Sequence, residues 1–308
     1  MLRLGAFILD LGICRHLKLR TTVCLFILFV FLASSNCSWF RVKQTHRIPA
    51  SEQALPAKTA SLEDLIQGVN QTAQKIQTLK LTVIYQLTGG SINTGEISNY
   101  RETDGFILAR RPGWIRLIGL AFKVKVFDMV SDGKQFRIHV PPKNKFMLGR
   151  NDEEIKGRKD VPINLRPQHI FQALIIDPVA AENDRDMRVL EEDQEGKHKY
   201  YVLSIIGPAK EGVGALIRKV WIDRFDLRLV RQKLYDNGRM VSDIAYREFK
   251  NFEGGDYPSV IDFSRPQEDY SLRIRISKAA TNETLRDEQF VLEQPDGTEQ
   301  VDLTESPK

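Results

Sequence analysis

Leu62, Leu65, Ile66, Val69, Ala73, Ile76 and Leu79 recur at three- and four-residue spacing, which gathers them on one face of a helix. Ser61, with Asp64 three residues on, forms a capping-box pattern, so the spacing predicts a helix over 61–79. Its polar face carries Glu63, Gln67, Asn70, Gln74 and Gln77. From Leu81 the period falls to two: Leu81, Val83, Tyr85 and Leu87 alternate with Thr82, Ile84 and Gln86 until Gly89-Gly90 interrupts. Further strands are predicted near 96–103, 105–111, 113–119, 121–131, 134–140, 145–149, 186–192, 198–206, 215–224, 227–236, 239–247, 257–264, 269–277 and 288–293. Asp104-Gly105, Asp132-Gly133 and Asn237-Gly238 offer the left-handed backbone of tight hairpins between them. Tyr270, Leu272, Ile274 and Ile276 alternate without a break with Ser271, Arg273, Arg275 and Ser277, the pattern of a strand that is dry on one face and wet on the other.

The stretch 150–185 is richer in charge and holds a second helix, from about Pro167 to Ile176, started by Pro167 and stopped by Pro178. Fourteen short strands without crossover helices cannot build a parallel sheet. The fold class expected is therefore α+β, one large curved antiparallel sheet wrapped around two helices. Residues 38–60 show no period and read as a tether; 61–295 form the folded domain; 296–308 read as a disordered tail.

The N-terminus sets the compartment. Basic residues up to Arg20 precede an apolar run from Val23 to Ala33, and small or polar residues follow, the order of a secretory signal peptide over 1–37. Eleven apolar residues at ~1.5 Å each cover about half of a ~30 Å hydrocarbon core, which favours a cleaved signal over a membrane span. The alternative is an uncleaved inner-membrane anchor using the uncharged stretch Thr21–Phe40. Cys37, four residues beyond Ala33, sits where a lipoprotein signal places its lipidated cysteine, although Ser34 and Asn36 depart from the usual residues before it. All three cysteines, Cys14, Cys24 and Cys37, lie in this segment, so the body has no disulfide or thiol chemistry.

Charge adds little. Of the formal +5, only +2 belongs to residues beyond 37, which gives no electrostatic case for nucleic acid. Hydrophobic residues at 42% and charged residues at 28% are globular values that rule out a disordered chain. No nucleophile-elbow, zinc-protease, dinucleotide, P-loop or CxxC pattern occurs, so neither an enzyme nor a cofactor is expected. The five histidines are scattered, and His139 and His169 are more economically read as solvated side chains than as metal ligands. Asp223 and Asp226 flank the Arg224-Phe225 corner, where carboxylates cap turns more often than they do acid-base work.

Several stretches taken in order resemble a known group: Arg111-Pro112-Gly113-Trp114-Ile115-Arg116, then Phe127-Asp128-Met129-Val130-Ser131-Asp132-Gly133, the Pro141-Pro142-Lys143-Asn144-Lys145-Phe146 turn, Trp221-Ile222-Asp223 and Tyr235-Asp236-Asn237-Gly238. Over roughly 61–293 the chain resembles the outer-membrane lipoprotein-sorting superfamily, the periplasmic lipoprotein carrier and the outer-membrane lipoprotein receptor among them. The resemblance implies a half-open β-barrel with helices packed in or over its concave face, and acyl chains of lipoproteins or lipids as partners. It also implies an outer-membrane lipoprotein facing the periplasm, held by a lipid on Cys37. The alternating runs nominate Phe106, Leu108, Ile115, Leu117, Phe127, Met129, Phe136, Ile138, Leu272 and Ile274 as cavity wall, with Leu65, Ile66, Val69 and Ile76 as the underside of a lid helix. The same residues would equally fill a plain core in a structural or assembly module with protein partners of the envelope.

Overall fold

The computed structural model describes residues 47, 49, 50, 53, 55–91, 95–153, 165–179, 186–208 and 213–304. The chain divides into two compact units, Met1–Gln53 and Ala54–Lys308, and every helix and strand named below lies in the second. Cys37 and the expected signal segment lie outside the described residues.

Strands dominate. Helix α1 (Leu62–Lys75) is followed by β1 (Thr78–Ser91), β2 (Glu96–Asn99), β3 (Thr103–Arg110), β4 (Trp114–Ala121), β5 (Val124–Ser131), β6 (Gln135–Val140) and β7 (Lys145–Arg150). After α2 (Pro167–Leu174) come β8 (Met187–Glu195), β9 (His198–Ile206), β10 (Leu216–Asp223), β11 (Leu229–Asp236), β12 (Arg239–Phe252), β13 (Gly255–Arg265), β14 (Tyr270–Thr281) and β15 (Glu299–Asp302). They form one unclosed sheet in the order β15-β7-β6-β5-β4-β3-β1-β14-β13-β12-β11-β10-β9-β8, with β2 hairpinned onto β1. With two short helices among the described residues, the domain is mostly β and not α+β.

Neighbouring strands are antiparallel throughout, as the alternation predicts, except that β15 runs parallel to β7. The pairing of β1 with β14, with Val83 opposite Ile276 and Tyr85 opposite Ile274, joins the two hairpin runs. One face of the sheet carries the core. Ile115 and Leu117 on β4, Leu203 on β9, Val220 and Ile222 on β10, Ile261 and Phe263 on β13 and Ile274 on β14 are all buried, in a single cluster with Leu65 and Val69 of α1 and Ile170, Phe171 and Leu174 of α2. At the far end β8 is an edge strand whose second half is acidic: Glu191, Glu192, Asp193 and Glu195.

Helix α1 starts as the pattern demands, with Ser61 and Asp64 exchanging capping-box hydrogen bonds. It ends earlier than its apolar spacing indicates. Ile76 is already extended, and Leu79, expected on the last helical turn, is a fully buried β1 residue. The alternation of Leu79, Leu81, Val83 and Tyr85 wins over the helical period because β1 is paired on both sides, by β14 and β3. Residues 96–103, expected as one strand, divide between β2 and the start of β3.

The C-terminal segment departs most from expectation. Where a strand over 288–293 is predicted, a short 3₁₀ turn at Asp287–Phe290 lies inside a strap that crosses the sheet face opposite the core. Arg110, Arg116 and Arg137 donate to the Leu285, Gln289 and Leu292 carbonyls at 3.1, 2.8 and 3.2 Å. The Arg110 guanidinium also lies over both Trp114 and Phe290. Residues 299–302 of the expected disordered tail form β15, and Val301 and Leu303 are buried. Two apolar residues in a polar stretch are too few to show a period, but they are enough to fix a strand beside β7. The expected tether also ends early: Leu55 and Lys58 donate their N–H groups to the Lys197 and Arg224 carbonyls, and that of Ala60 reaches the Tyr201 hydroxyl.

Candidate functional site

The nominated wall residues separate by strand. Ile115, Leu117, Met129, Phe136, Ile138, Leu272 and Ile274 are all buried and belong to the one core cluster. Phe127 is half-buried, packs its ring at 5.7 Å from that of Tyr85, and covers Gly119, where any side chain would collide with the ring. Phe106 and Leu108 are a correction. Phe106 is 45% exposed and Leu108 half-buried, because Ile107 and Ala109 are the β3 residues that face the core. Phe106-Ile107-Leu108-Ala109 is apolar at every position, so its alternation has no readable phase. Gly105 settles it: a Cβ there would strike the Tyr85 ring and the Ile118 carbonyl.

Of the nominated lid residues, Leu65 and Val69 are buried, Ile66 is partly buried against the same cluster, and Ile76 borders open space. That space is a cavity of about 360 Å³ between the C-terminal ends of α1 and α2, the start of β11 and the β12–β13 hairpin. Ile76, Leu174, Ile176, Leu229, Phe249 and Tyr257 supply its apolar lining, and Lys75, Arg228, Tyr246 and Asp256 its polar part. Two interactions fix the wall: the Tyr257 hydroxyl donates to the Leu174 carbonyl at 2.7 Å, and the Arg228 guanidinium lies 5.2 Å from the centre of the Phe249 ring. Burial pushes the Tyr257 phenol well above its ordinary value, so it stays a neutral donor.

Arg111 holds both helix ends. Its Nε donates to the Ile76 carbonyl at 3.2 Å, Nη2 to the carbonyls of Ala73 at 3.2 Å and Ile176 at 2.8 Å, and Nη1 meets the Asp177 carboxylate at 3.3 Å. One side chain from the β3–β4 turn thus satisfies carbonyls that helices leave unpaired at their C-termini. In the sequence Arg111 is marked only as part of a family-like stretch. Its role, and those of Leu174, Ile176, Leu229, Phe249 and Tyr257, depend on contacts between distant segments and leave no local signal.

A second, wider groove of about 930 Å³ lies over the opposite face of β9–β14. It is lined by salt-bridged pairs, Arg231 with Asp243 and Arg273 with Asp262, and suits a solvated surface better than an apolar guest. His198 at its rim bonds Asp223 at 3.1 Å, and Asp223 and Asp226 accept the Phe225 and Arg228 N–H groups, the turn-capping role expected of them.

His169 is not solvated. It is buried, with Nδ1 3.0 Å from the Tyr270 hydroxyl, and burial together with Arg265 and Arg166 pushes its pKa down to about 2. The His139 ring lies 6.5 Å from that of Phe146, centre to centre. Among the described residues no three metal-ligating side chains come together.

A family model described as "-like: Uncharacterized protein" matches residues 179–294, under half of the chain. No curated protein matches the sequence. Among solved structures, the chain is similar to a DUF1329 family protein from Desulfovibrio piger, at 15% identity and TM-score 0.50, covering 74% of this chain and 95% of that one. It is similar also to a LolA superfamily protein from Nitrosomonas europaea, at 12% identity and TM-score 0.45, covering 76% and 99%. A third is an outer membrane lipoprotein-sorting protein domain from Vibrio parahaemolyticus, at 13% identity and TM-score 0.44, covering 73% and 97%. The chain therefore has the fold of the DUF1329 family protein, and its structural neighbours include members of the lipoprotein-sorting superfamily that its sequence resembles.

Proposed function

We propose that this protein is a non-enzymatic, lipid- or lipoprotein-binding component of the cell envelope that takes an acyl chain between its helix ends and the core face of its sheet. The observation that carries the reading is the apolar cavity beside Ile76, Leu174 and Ile176, bordered by helix ends that Arg111 holds. Its volume lies near the lower end of the ~300–1,000 Å³ usual for ligand sites. In this reading both helices lie over the concave face and a guest lengthens the space by displacing them. Each buried methylene contributes about 0.8 kcal/mol, so a chain of a dozen carbons is held without covalent chemistry and can be passed on. Lipidation of Cys37 would tether the domain to the outer membrane, and Cys37→Ala should then release it from membranes. An unchanged membrane fraction would instead favour the uncleaved anchor.

The second reading, a structural or assembly module with protein partners, is favoured by the tight burial of the seven core-facing wall residues. Dye binding separates the two. Polar replacement of Ile176 or Phe249, at the cavity, should reduce binding of a hydrophobic dye more than it reduces stability. Polar replacement of Ile138, in the core, should cost at least the ~2–5 kcal/mol of a large-to-small change there. A wild-type protein that binds neither dye nor co-purifying lipid is the module, and the acyl-binding reading is then wrong.

A further inference from the structure

On β10, Arg218, Val220 and Ile222 occupy the core-facing positions, and Arg218 is as buried as a hydrophobic residue at 6% exposure. A guanidinium removed from water costs several kcal/mol unless it is paired and all its donors are used. Arg218 uses one: Nη1 donates to the Asp177 carbonyl at 2.9 Å and, more weakly, to that of Pro178 at 3.4 Å. Its Nε and Nη2 are buried and make no hydrogen bond. It forms no salt bridge among the described residues, and the nearby Asp177 carboxylate is mostly exposed and engaged by Arg111. Burial accordingly pushes the Arg218 pKa down, offset in part by Tyr246 and Asp177.

This cation is tied to the cavity wall through its neighbours. Ile176, on the cavity wall, immediately precedes the Asp177 carbonyl that Arg218 holds. Tyr246, which acts electrostatically on Arg218, also lines the cavity. The Tyr246 hydroxyl accepts from Gln232 Nε2 at 2.6 Å, which leaves its own proton to be donated. Arg218 does not itself line the cavity, but its Nε–H and both Nη2–H bonds are without a partner directly behind the wall residue Ile176, close enough to the Tyr246 phenol to interact with it. We propose that Arg218, with Tyr246, binds a carboxylate, and that the cavity takes a fatty acid, or another acyl chain ending in a free carboxylate, head first. The inference rests on the acyl-binding reading and narrows it. A chain esterified at its carboxyl end offers no anion and would leave the cost of the buried guanidinium unrelieved.

The test uses the full-length protein and displacement of a bound hydrophobic dye by hexadecanoate, 1-hexadecanol and methyl hexadecanoate. A charge-assisted pair at a desolvated site should let hexadecanoate compete at a concentration lower by about tenfold or more than either neutral analogue. Arg218→Gln should abolish that preference while the neutral analogues compete as before. Its melting temperature should not fall, since the substitution removes an uncompensated charge. Tyr246→Phe, which keeps the ring, should reduce the preference only partly. Equal competition by all three on the wild type overturns the carboxylate assignment and leaves acyl binding standing, as does a preference that survives Arg218→Gln. If none of the three competes and no dye binds, acyl binding itself fails and the carboxylate assignment with it.

Discussion

Asp128 has no exposed surface, yet it is a charged residue. Arg116 Nε and Nη2 reach its two oxygens at 3.0 and 2.8 Å, and Lys125 Nζ lies 2.7 Å away. Burial alone would raise its pKa, but these donors together hold it below the ordinary carboxylate range. The same guanidinium donates through Nη1 to the Gln289 carbonyl, so the carboxylate orients the group that binds the strap. Arg116→Met should cost about 3 kcal/mol, since one partner of a buried pair is lost, and should loosen the strap at Phe290; urea denaturation and proteolysis of 283–304 would read both effects. Because the folded pKa is depressed, this stabilisation is complete above about pH 4 and fades as pH falls through the lowered value. An Arg116→Met protein whose stability falls with acid as steeply as the wild type's would contradict this account. The sequence displayed Asp128 inside a family-like run, but its burial depends on the neighbouring strand placing Arg116 diagonally across from it, opposite Val130.

At the scale of elements, the beginning of α1 was legible and its end was not. Ser61 and Asp64 are three residues apart and cap by local geometry alone. The C-terminal end is closed by Asn282, more than two hundred residues away: its Nδ2 donates to the Lys75 carbonyl at 2.7 Å, and its Oδ1 accepts the Gln77 N–H at 2.9 Å. No spacing rule could reveal that partner. Asn282→Ala should lower stability by about 1 kcal/mol and speed hydrogen exchange at Gln77, while Leu65 and Val69 exchange as before. Faster exchange along all of α1 would mean instead that Asn282 holds the whole helix and not its last turn. The same division recurs in the candidate site. Ile76 was nominated from its helical face and does border the cavity, whereas the opposite walls come from α2, β11 and the β12–β13 hairpin.

For the whole molecule, unbroken period-2 runs, short hairpins and the lack of crossover helices were enough to predict one antiparallel sheet. The β1–β14 pairing, the strap and parallel β15 escaped prediction because each joins segments far apart in the chain. The sheet does not close on itself, so it keeps a terminal strand at each end, and β8 is the longer of the two. A strand edge whose amides and carbonyls face outward is a template for another chain, and four carboxylates in its second half make such an approach repulsive at neutral pH. Glu191 and Glu192 make salt bridges to Lys219 and Arg224, so Asp193 and Glu195 carry most of this repulsion. With Asp193→Asn and Glu195→Gln the protein should form thioflavin-positive cross-β filaments, and adding Val189→Lys, which puts a positive charge on the edge, should delay them; equal lag times would show that filament growth starts elsewhere.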